Sequence, residues 1–128
     1  MEVIPACRAY GVGVIAWSPL AGGLLAGAGQ TEGGRRQSDG IRTAAAQRAD
    51  QLSRFADLCL GLGETPSSVA LAWALHQPGI TSTIIGPASL SQLSSVLHVP
   101  EIELSNEVLA SLDAIFPATG PAPEAYAW

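Results

Sequence analysis

Two short apolar runs mark the strands that this sequence predicts. Residues 12–17 (VGVIAW) are almost wholly apolar and end at Ser18-Pro19, and residues 83–85 (TII) end at Gly86. Short apolar runs closed by glycine or proline are typical of parallel strands that are buried on both faces. The pattern therefore predicts two parallel strands.

Helical spacing appears before, between and after these runs. Residues 3–10 have the pattern of a helix end, and Gly11 can take the left-handed conformation that closes a helix. Apolar residues recur at 3.6-residue spacing over about residues 42–60, which predicts one helix with a single apolar stripe. The members of that stripe are Ala49, Leu52, Ala56 and Cys59.

Three further helices are predicted from their first residues. Thr65 precedes Pro66, a pair typical of an N-cap and the first helical position. Ser89 and Gln92 have capping-box spacing, with Gln92 placed to accept from the Ser89 backbone N–H. Ser105 caps the last helix, which has Leu104 and Leu109 at the staple positions and Val108, Leu112, Ile115 and Phe116 on one face.

The predicted elements follow the order helix end, strand, loop, two helices, strand, two helices. This order indicates an α/β fold whose first predicted element is the end of a helix and not a complete β/α unit. We expect one domain over residues 1–128, with a mobile loop over 27–40 and an irregular tail over 117–128. Two parallel strands cannot close a barrel or cover their own edges, so the sheet should be part of a larger one. Alone, the chain should therefore show little cooperatively folded monomer.

Composition narrows the possible functions. Hydrophobic residues make up 48% of the chain and charged residues 13%. A small domain that folds alone has too little interior to bury so many hydrophobic side chains. The net charge is −5, and the six basic residues, all arginine, form no basic-aromatic stripe, so nucleic-acid binding is not expected. No lysine is present, which excludes lysine chemistry within these residues.

The apolar stretch 12–28 imitates a signal peptide or membrane helix, but Ser18, Pro19 and two glycines interrupt it. Cys7 and Cys59 suggest neither a disulfide framework nor a metal cluster, and they fit a reduced compartment. His76 and His98 lie near helix ends without companion ligands, so we interpret them as structural. We expect a cytoplasmic protein without a metal site.

Residues 11–27 (GVGVIAWSPLAGGLLAG) resemble the seventh strand and following loop of aldo-keto reductases. Residues 65–75 and 84–93 resemble the last barrel strand with its flanking helices, and residues 104–113 resemble the C-terminal helix of that family. The resemblance implies the C-terminal portion of a TIM-type (β/α)8 barrel, here incomplete. It also implies NADPH-dependent reduction of aldehydes and ketones as the family activity.

The resemblance also implies a partial cofactor site for NADP(H). Trp17 would stack on the nicotinamide, and the Ser89 helix N-terminus would favour a 2′-phosphate. The turn along the pyrophosphate would consist of Ser18, Pro19, Leu20, Ala21 and Gly22, and the adenosine end would include Gly86, Ala88 and Gln92. The capping box gives Gln92 a structural role as well, and the sequence favours neither this role nor the cofactor contact over the other.

The sequence departs from the family pattern in three places: Ala88, Val96 and Ala28 stand where relatives often have polar or basic contacts. Each missing charge-assisted hydrogen bond removes about 1.5–3 kcal/mol, so weaker cofactor binding is expected. Arg35, Arg36 and Arg42 could contact phosphate, although solvated loop residues are the commoner interpretation.

The family's catalytic Asp, Tyr, Lys and His come from earlier strands, and no position here matches them, since Tyr10 and Tyr126 lie in other segments. We therefore expect no catalytic residue in this chain, and a possible N-terminal half or partner subunit that supplies the tetrad. The alternative is a non-catalytic nicotinamide-binding or interaction module.

Overall fold

The computed structural model describes residues 3–27 and 39–118. Its elements alternate as the sequence predicts, with helices between and after two strands. They are α1 (Val3–Ala9), β1 (Ile15–Ala16), a 3₁₀ segment (Ala21–Ala26), α2 (Asp39–Gln47), α3 (Ala49–Leu62), α4 (Pro66–His76), β2 (Ser82–Thr83), α5 (Leu90–Ser94), a 3₁₀ turn (Val99–Glu101) and α6 (Asn106–Ile115). The fold is helix-rich, and its sheet is not closed.

The two strands pair in parallel, as predicted. Ile15 lies opposite Ser82 and Ala16 opposite Thr83. The Ile84 N–H donates to the Ala16 carbonyl at 2.9 Å, which extends the contact beyond β2. Both strands are shorter than the predicted runs 12–17 and 83–85, since regular pairing covers two residues in each.

The core is helical. Buried side chains of α3, α4 and α6 form it, and the ring of Phe116 joins them by an edge-on contact with Phe55 (centroids 5.7 Å apart) and a tilted one with Trp73 (5.9 Å). The largest fully buried members are Phe55, Leu112, Val69 and Cys59. The core thus lies in the helix layer and not between the strands.

The prediction that the strands are buried on both faces is wrong for the described residues. Ile15 is 62% exposed, Trp17 77% and Ile84 52%. Because side chains alternate along a strand, the pairing register puts these three on one face, opposite the partly buried Ala16 and Thr83. The helices cover one face of the sheet, and no described element covers the other.

The predicted helix over residues 42–60 is two helices, α2 and α3, which are separated at Arg48. The apolar stripe is also shifted. Ala49 and Ala56 are exposed, whereas Phe55 and Cys59 are buried. The large ring of Phe55 gains more from burial than a methyl group does, so it sets which face of α3 packs inward.

The predicted caps are confirmed. The side chains of Thr65, Ser89 and Ser105 each accept the backbone N–H three residues on, at 3.1–3.3 Å. In the capping box, however, Gln92 Oε1 accepts the N–H of Ala88 at 2.7 Å and not that of Ser89. The glutamine therefore reaches one residue farther back than the standard spacing predicts.

Gly11, predicted to close α1, has a left-handed φ of 65°. Most of the predicted loop 27–40 and of the tail 117–128 lies outside the described residues, although Asp39 and Gly40 already belong to α2. Within the described ranges no single helix is long and apolar enough to cross a bilayer. The pair α3 and α4 has the length and composition for it but is bent by 92°.

Candidate functional site

The parallel register brings two predicted site segments to one end of the sheet. Residues 17–22 follow β1 directly, and residues 86–92 follow β2 after two residues. Parallel strands that pair directly have their carboxyl ends at the same edge, which is where β/α folds bind ligands. The residues predicted for the two ends of a cofactor site therefore lie at one edge.

Trp17 presents its indole ring on the uncovered face of the sheet. It is 77% exposed, so its contacts within the described residues leave most of the ring free. Within the described part of the chain, Trp17 is therefore not a core residue. A flat, exposed aromatic ring at a strand end can stack on a flat heterocycle.

The turn after Trp17 has an unusual backbone. Ser18 (φ 56°) and Ala21 (φ 50°) occupy the left-handed region, which non-glycine residues rarely adopt. Gly22 and Gly23 follow in the same region, at 69° and 105°. Strained backbone of this kind persists only where surrounding contacts hold it.

Hydrogen bonds inside the turn supply those contacts. The Ala21 N–H donates to the Ser18 carbonyl at 2.9 Å, and the Gly22 N–H donates to Ser18 Oγ at 3.2 Å. The Gly23 N–H donates to the Leu20 carbonyl at 2.9 Å. Two N–H groups of the predicted pyrophosphate turn, and the N–H of Gly23 beside it, thus already have partners within the chain, and the Ser18 hydroxyl keeps its own hydrogen to donate.

Two contacts that the sequence reasoning missed hold this turn in place. Leu24 is buried, and Leu20 and Leu25 pack on the helical core. From the other side Ile41 of α2 approaches Gly22 so closely that a Cβ there would lie 3.2 Å from Ile41 Cδ1. The apolar spacing of Leu20, Leu24 and Leu25 was the available signal.

The second segment is open to solvent. Gly86, Ala88 and Gln92 are all exposed. The side chain of Gln92 caps the Ala88 N–H, which favours its structural role over a ligand contact. The helix that follows Ser89 is five residues long, so it contributes little dipole toward a phosphate.

Neither segment carries an ionisable charge. Residues 9–31 and 77–97 contain no Asp, Glu, Lys, Arg or His. A phosphate here would meet neither a repelling carboxylate nor a cation from these stretches. Arg42 is exposed on α2, whereas Ala28, Arg35 and Arg36 lie outside the described residues.

The histidines have structural partners, as interpreted from the sequence. His98 Nε2 lies 3.0 Å from Glu64 Oε2, and His76 Nδ1 lies 2.8 Å from the Ala72 carbonyl oxygen. An open cavity of about 370 Å³ lies beside the His98–Glu64 pair. In the described part of the chain no group of His, Cys, Asp and Glu side chains could hold a metal ion.

The two cysteines are free thiols that differ in burial. Cys7 on α1 is partly exposed, and Cys59 on α3 is buried. Burial raises the pKa of the Cys59 thiol from 9.0 to about 11, against a smaller lowering by a backbone hydrogen bond. Cys59 therefore remains a protonated core residue at neutral pH.

Comparisons with known proteins identify a family and several relatives. Residues 1–116 match the sequence model described as "Aldo/keto reductase family". The chain is 48% identical to the Bacillus subtilis protein YrpG, described as an uncharacterized oxidoreductase, over all of this chain and 40% of the relative.

Two other relatives match more distantly. A Schizosaccharomyces pombe protein, named as a candidate voltage-gated potassium channel subunit beta, is 30% identical over 89% of this chain and 37% of its own length. The Escherichia coli "Protein tas" is 32% identical over 88% of this chain and 35% of its own length. The chain thus spans 35–40% of the length of these three relatives.

Proposed function

Because the chain belongs to the aldo/keto reductase family, we propose that it carries part of the nicotinamide-cofactor site of an NADP-dependent carbonyl oxidoreductase. The observation that carries the proposal is the parallel β1–β2 pair, which puts the Trp17 turn and residues 86–92 at one sheet edge. When bound, the cofactor supplies the hydride that reduces an aldehyde or ketone.

The described residues fit one end of such a cofactor. The indole ring of Trp17 is available to stack on the nicotinamide. The Ser18 hydroxyl can donate to a phosphate oxygen, and neither segment brings a carboxylate near it. Since the donors are neutral, we expect modest affinity and little preference between NADPH and NADH.

We further propose that β1 and β2 are neighbouring strands of a larger (β/α)8 barrel. The helices cover one face of the pair, and the exposed face carries Ile15, Trp17 and Ile84. In such a barrel the face opposite the helices is the packed interior, which suits these apolar side chains. The family match supports this arrangement.

In this proposal the proton-transfer tetrad comes from strands outside these 128 residues, in the same polypeptide or in a partner. The absence of lysine from the sequence supports that division, because the family's tetrad includes one. The residues described above would bind and orient the cofactor, and the missing strands would act on the carbonyl. We propose a cytoplasmic location for the assembled enzyme.

Titration with NADP⁺, NADPH and NADH, followed by tryptophan fluorescence, tests the cofactor proposal. We expect saturable quenching that Trp17→Ala abolishes and that Trp73→Phe leaves in place, because Trp73 contacts Phe116 and packs against the core. Quenching that survives Trp17→Ala, or no quenching by a sample whose far-UV circular dichroism shows the helices formed, would refute the proposed site.

A second function, a non-catalytic nicotinamide-binding or interaction module, is favoured by the absence of lysine and by the relative named as a channel subunit. Aldehyde-dependent NADPH oxidation separates the two. The oxidoreductase proposal predicts no turnover by the chain alone and turnover after addition of the remaining portion of YrpG. The module predicts cofactor binding without turnover in both samples.

A further inference from the structure

We propose that Ser18 is a positioning residue, whose hydroxyl holds the left-handed turn that orients Trp17 toward the nicotinamide. The inference rests on the proposed cofactor site and names the residue that preorganises it. In addition to the phosphate contact proposed above, Ser18 would act through Trp17, and it need not touch the reacting atoms.

The first step is the conformation of Ser18 itself. A φ of 56° is unfavourable for a residue with a Cβ, and Ala21 repeats it three residues later at 50°. Glycine would adopt both angles freely, and Gly22 and Gly23 already do so in the same turn. A serine at this position therefore requires a compensating interaction.

The side chain of Ser18 provides that interaction. Its Oγ accepts the Gly22 N–H at 3.2 Å, while its carbonyl accepts the Ala21 N–H at 2.9 Å. Ser18 thus bonds to both residues that complete the reversal of the chain. Glycine would remove the conformational cost but also the Oγ acceptor, and alanine would keep the cost and lose the acceptor.

The last step connects the turn to Trp17. The far end of the turn is fixed because Leu24 is buried, and the near end continues from β1, which ends at Ala16. Trp17 lies between β1 and Ser18 and is 77% exposed, so packing in the described residues does little to fix its ring. The bonds from Ser18 to Ala21 and Gly22 therefore set the direction of the chain that carries the indole ring.

The test compares three substitutions of Ser18 in the full 128-residue chain, with NADP⁺ binding read from tryptophan quenching. Ser18→Ala should weaken binding by about three- to tenfold, the value of one neutral hydrogen bond. Ser18→Gly should lie between Ser18→Ala and the original chain. Ser18→Asn should restore most of the affinity, because asparagine tolerates the left-handed region and carries an acceptor.

Two readouts separate positioning from a general structural role. Ser53→Ala, at an exposed position of α3, is the matched control: it should leave binding unchanged and raise the urea midpoint by no more than about 0.3 M, since alanine favours a helix slightly more than serine does. Hydrogen exchange at the Gly22 amide should accelerate in Ser18→Ala and return toward the original rate in Ser18→Asn. The urea midpoint of the helical signal should shift by no more than about 0.5 M in any Ser18 variant, the effect of a single neutral hydrogen bond, because the core lies in α3, α4 and α6.

Each other outcome has a distinct meaning. If Ser18→Ala or Ser18→Gly binds NADP⁺ as tightly as the unsubstituted chain does, the positioning role is overturned and the cofactor proposal stands. A loss of affinity that Ser18→Asn does not restore, or that follows the urea midpoint, also overturns it. If the unsubstituted chain itself shows no quenching, the proposed function fails, and this inference fails with it.

Discussion

Replacement of Leu112 by alanine tests whether the helix layer holds this chain together. Leu112 on α6 is 0% exposed and belongs to the core with Phe55 and Ile115. Truncation of a fully buried leucine removes its transfer free energy and leaves a cavity, at a cost of about 2–5 kcal/mol. We therefore expect Leu112→Ala to lower the free energy of unfolding by that amount.

The same substitution at an exposed position provides the control. Leu60 on α3 is 80% exposed, and alanine and leucine are both strong helix formers. Leu60→Ala should change the free energy of unfolding by less than about 0.5 kcal/mol. Both variants remove the same atoms from a helix, so the difference between them reports burial alone.

Urea unfolding of the 128-residue chain, followed by far-UV circular dichroism, measures the effect. With a denaturant slope of about 2 kcal/mol per molar, Leu112→Ala should move the midpoint down by about 1–2.5 M. The comparison uses the order of the midpoints, so it applies to a broad transition as well as to a sharp one. Equal midpoints for Leu112→Ala and Leu60→Ala would refute a stabilising core in α3, α4 and α6.

Three further predictions follow from single residues. Ser105→Ala removes the cap on the Val108 N–H and should cost about 1 kcal/mol, read from the urea midpoint; an unchanged midpoint would contradict the cap. Ala21→Gly relieves a left-handed φ of 50° and should stabilise the chain by up to about 1 kcal/mol, whereas a loss would show that the angle costs nothing. The raised pKa of Cys59 favours the folded state below pH 9, so this stabilisation should be lost as the pH rises from 9.0 to about 11. Cys59→Ala should lack this part of the pH dependence, and alkylation below pH 9 should label Cys7 first; a Cys59→Ala variant with the same alkaline loss would assign that loss to other groups.

Features set by neighbouring residues were predictable from the sequence. Thr65 and Ser105 cap their helices because a hydroxyl can reach an N–H three residues on whatever surrounds it. The parallel pairing of β1 and β2 also followed from local patterns. The sequence did not predict that Gln92 Oε1 accepts the N–H of Ala88, because that bond depends on the path of the backbone before α5.

Features set by distant residues were not predictable in the same way. The apolar run around Ile15 predicts burial on both faces, but burial depends on what lies across the sheet, and no described element does. On α3 the inward face is set by Phe55 and its contact with Phe116, a partner 61 positions away. The spacing of small residues such as Ala56 could not show which face that ring would take.

For the candidate site, the sequence indicated which segments matter but not how they are held. Trp17 and the residues after β2 lie at one sheet edge, as two parallel strands require. The bond from the Gly22 N–H to Ser18 Oγ was not expected, because it requires a serine in a conformation that serine rarely adopts. That the cofactor binds at this edge stays a prediction.

The uncovered sheet face has a practical consequence for the handling of this polypeptide. In the part of the chain that the structure describes, each strand has one partner. The other side of each strand therefore has backbone N–H and C=O groups without a neighbouring strand, beside the exposed side chains of Ile15, Trp17 and Ile84. Bare edges with apolar side chains accept extended peptide from any source, including other copies of the same chain. In the proposed barrel, neighbouring strands would cover this face and these edges. Co-expression with the remaining portion of YrpG should therefore reduce aggregation and raise the yield of the polypeptide.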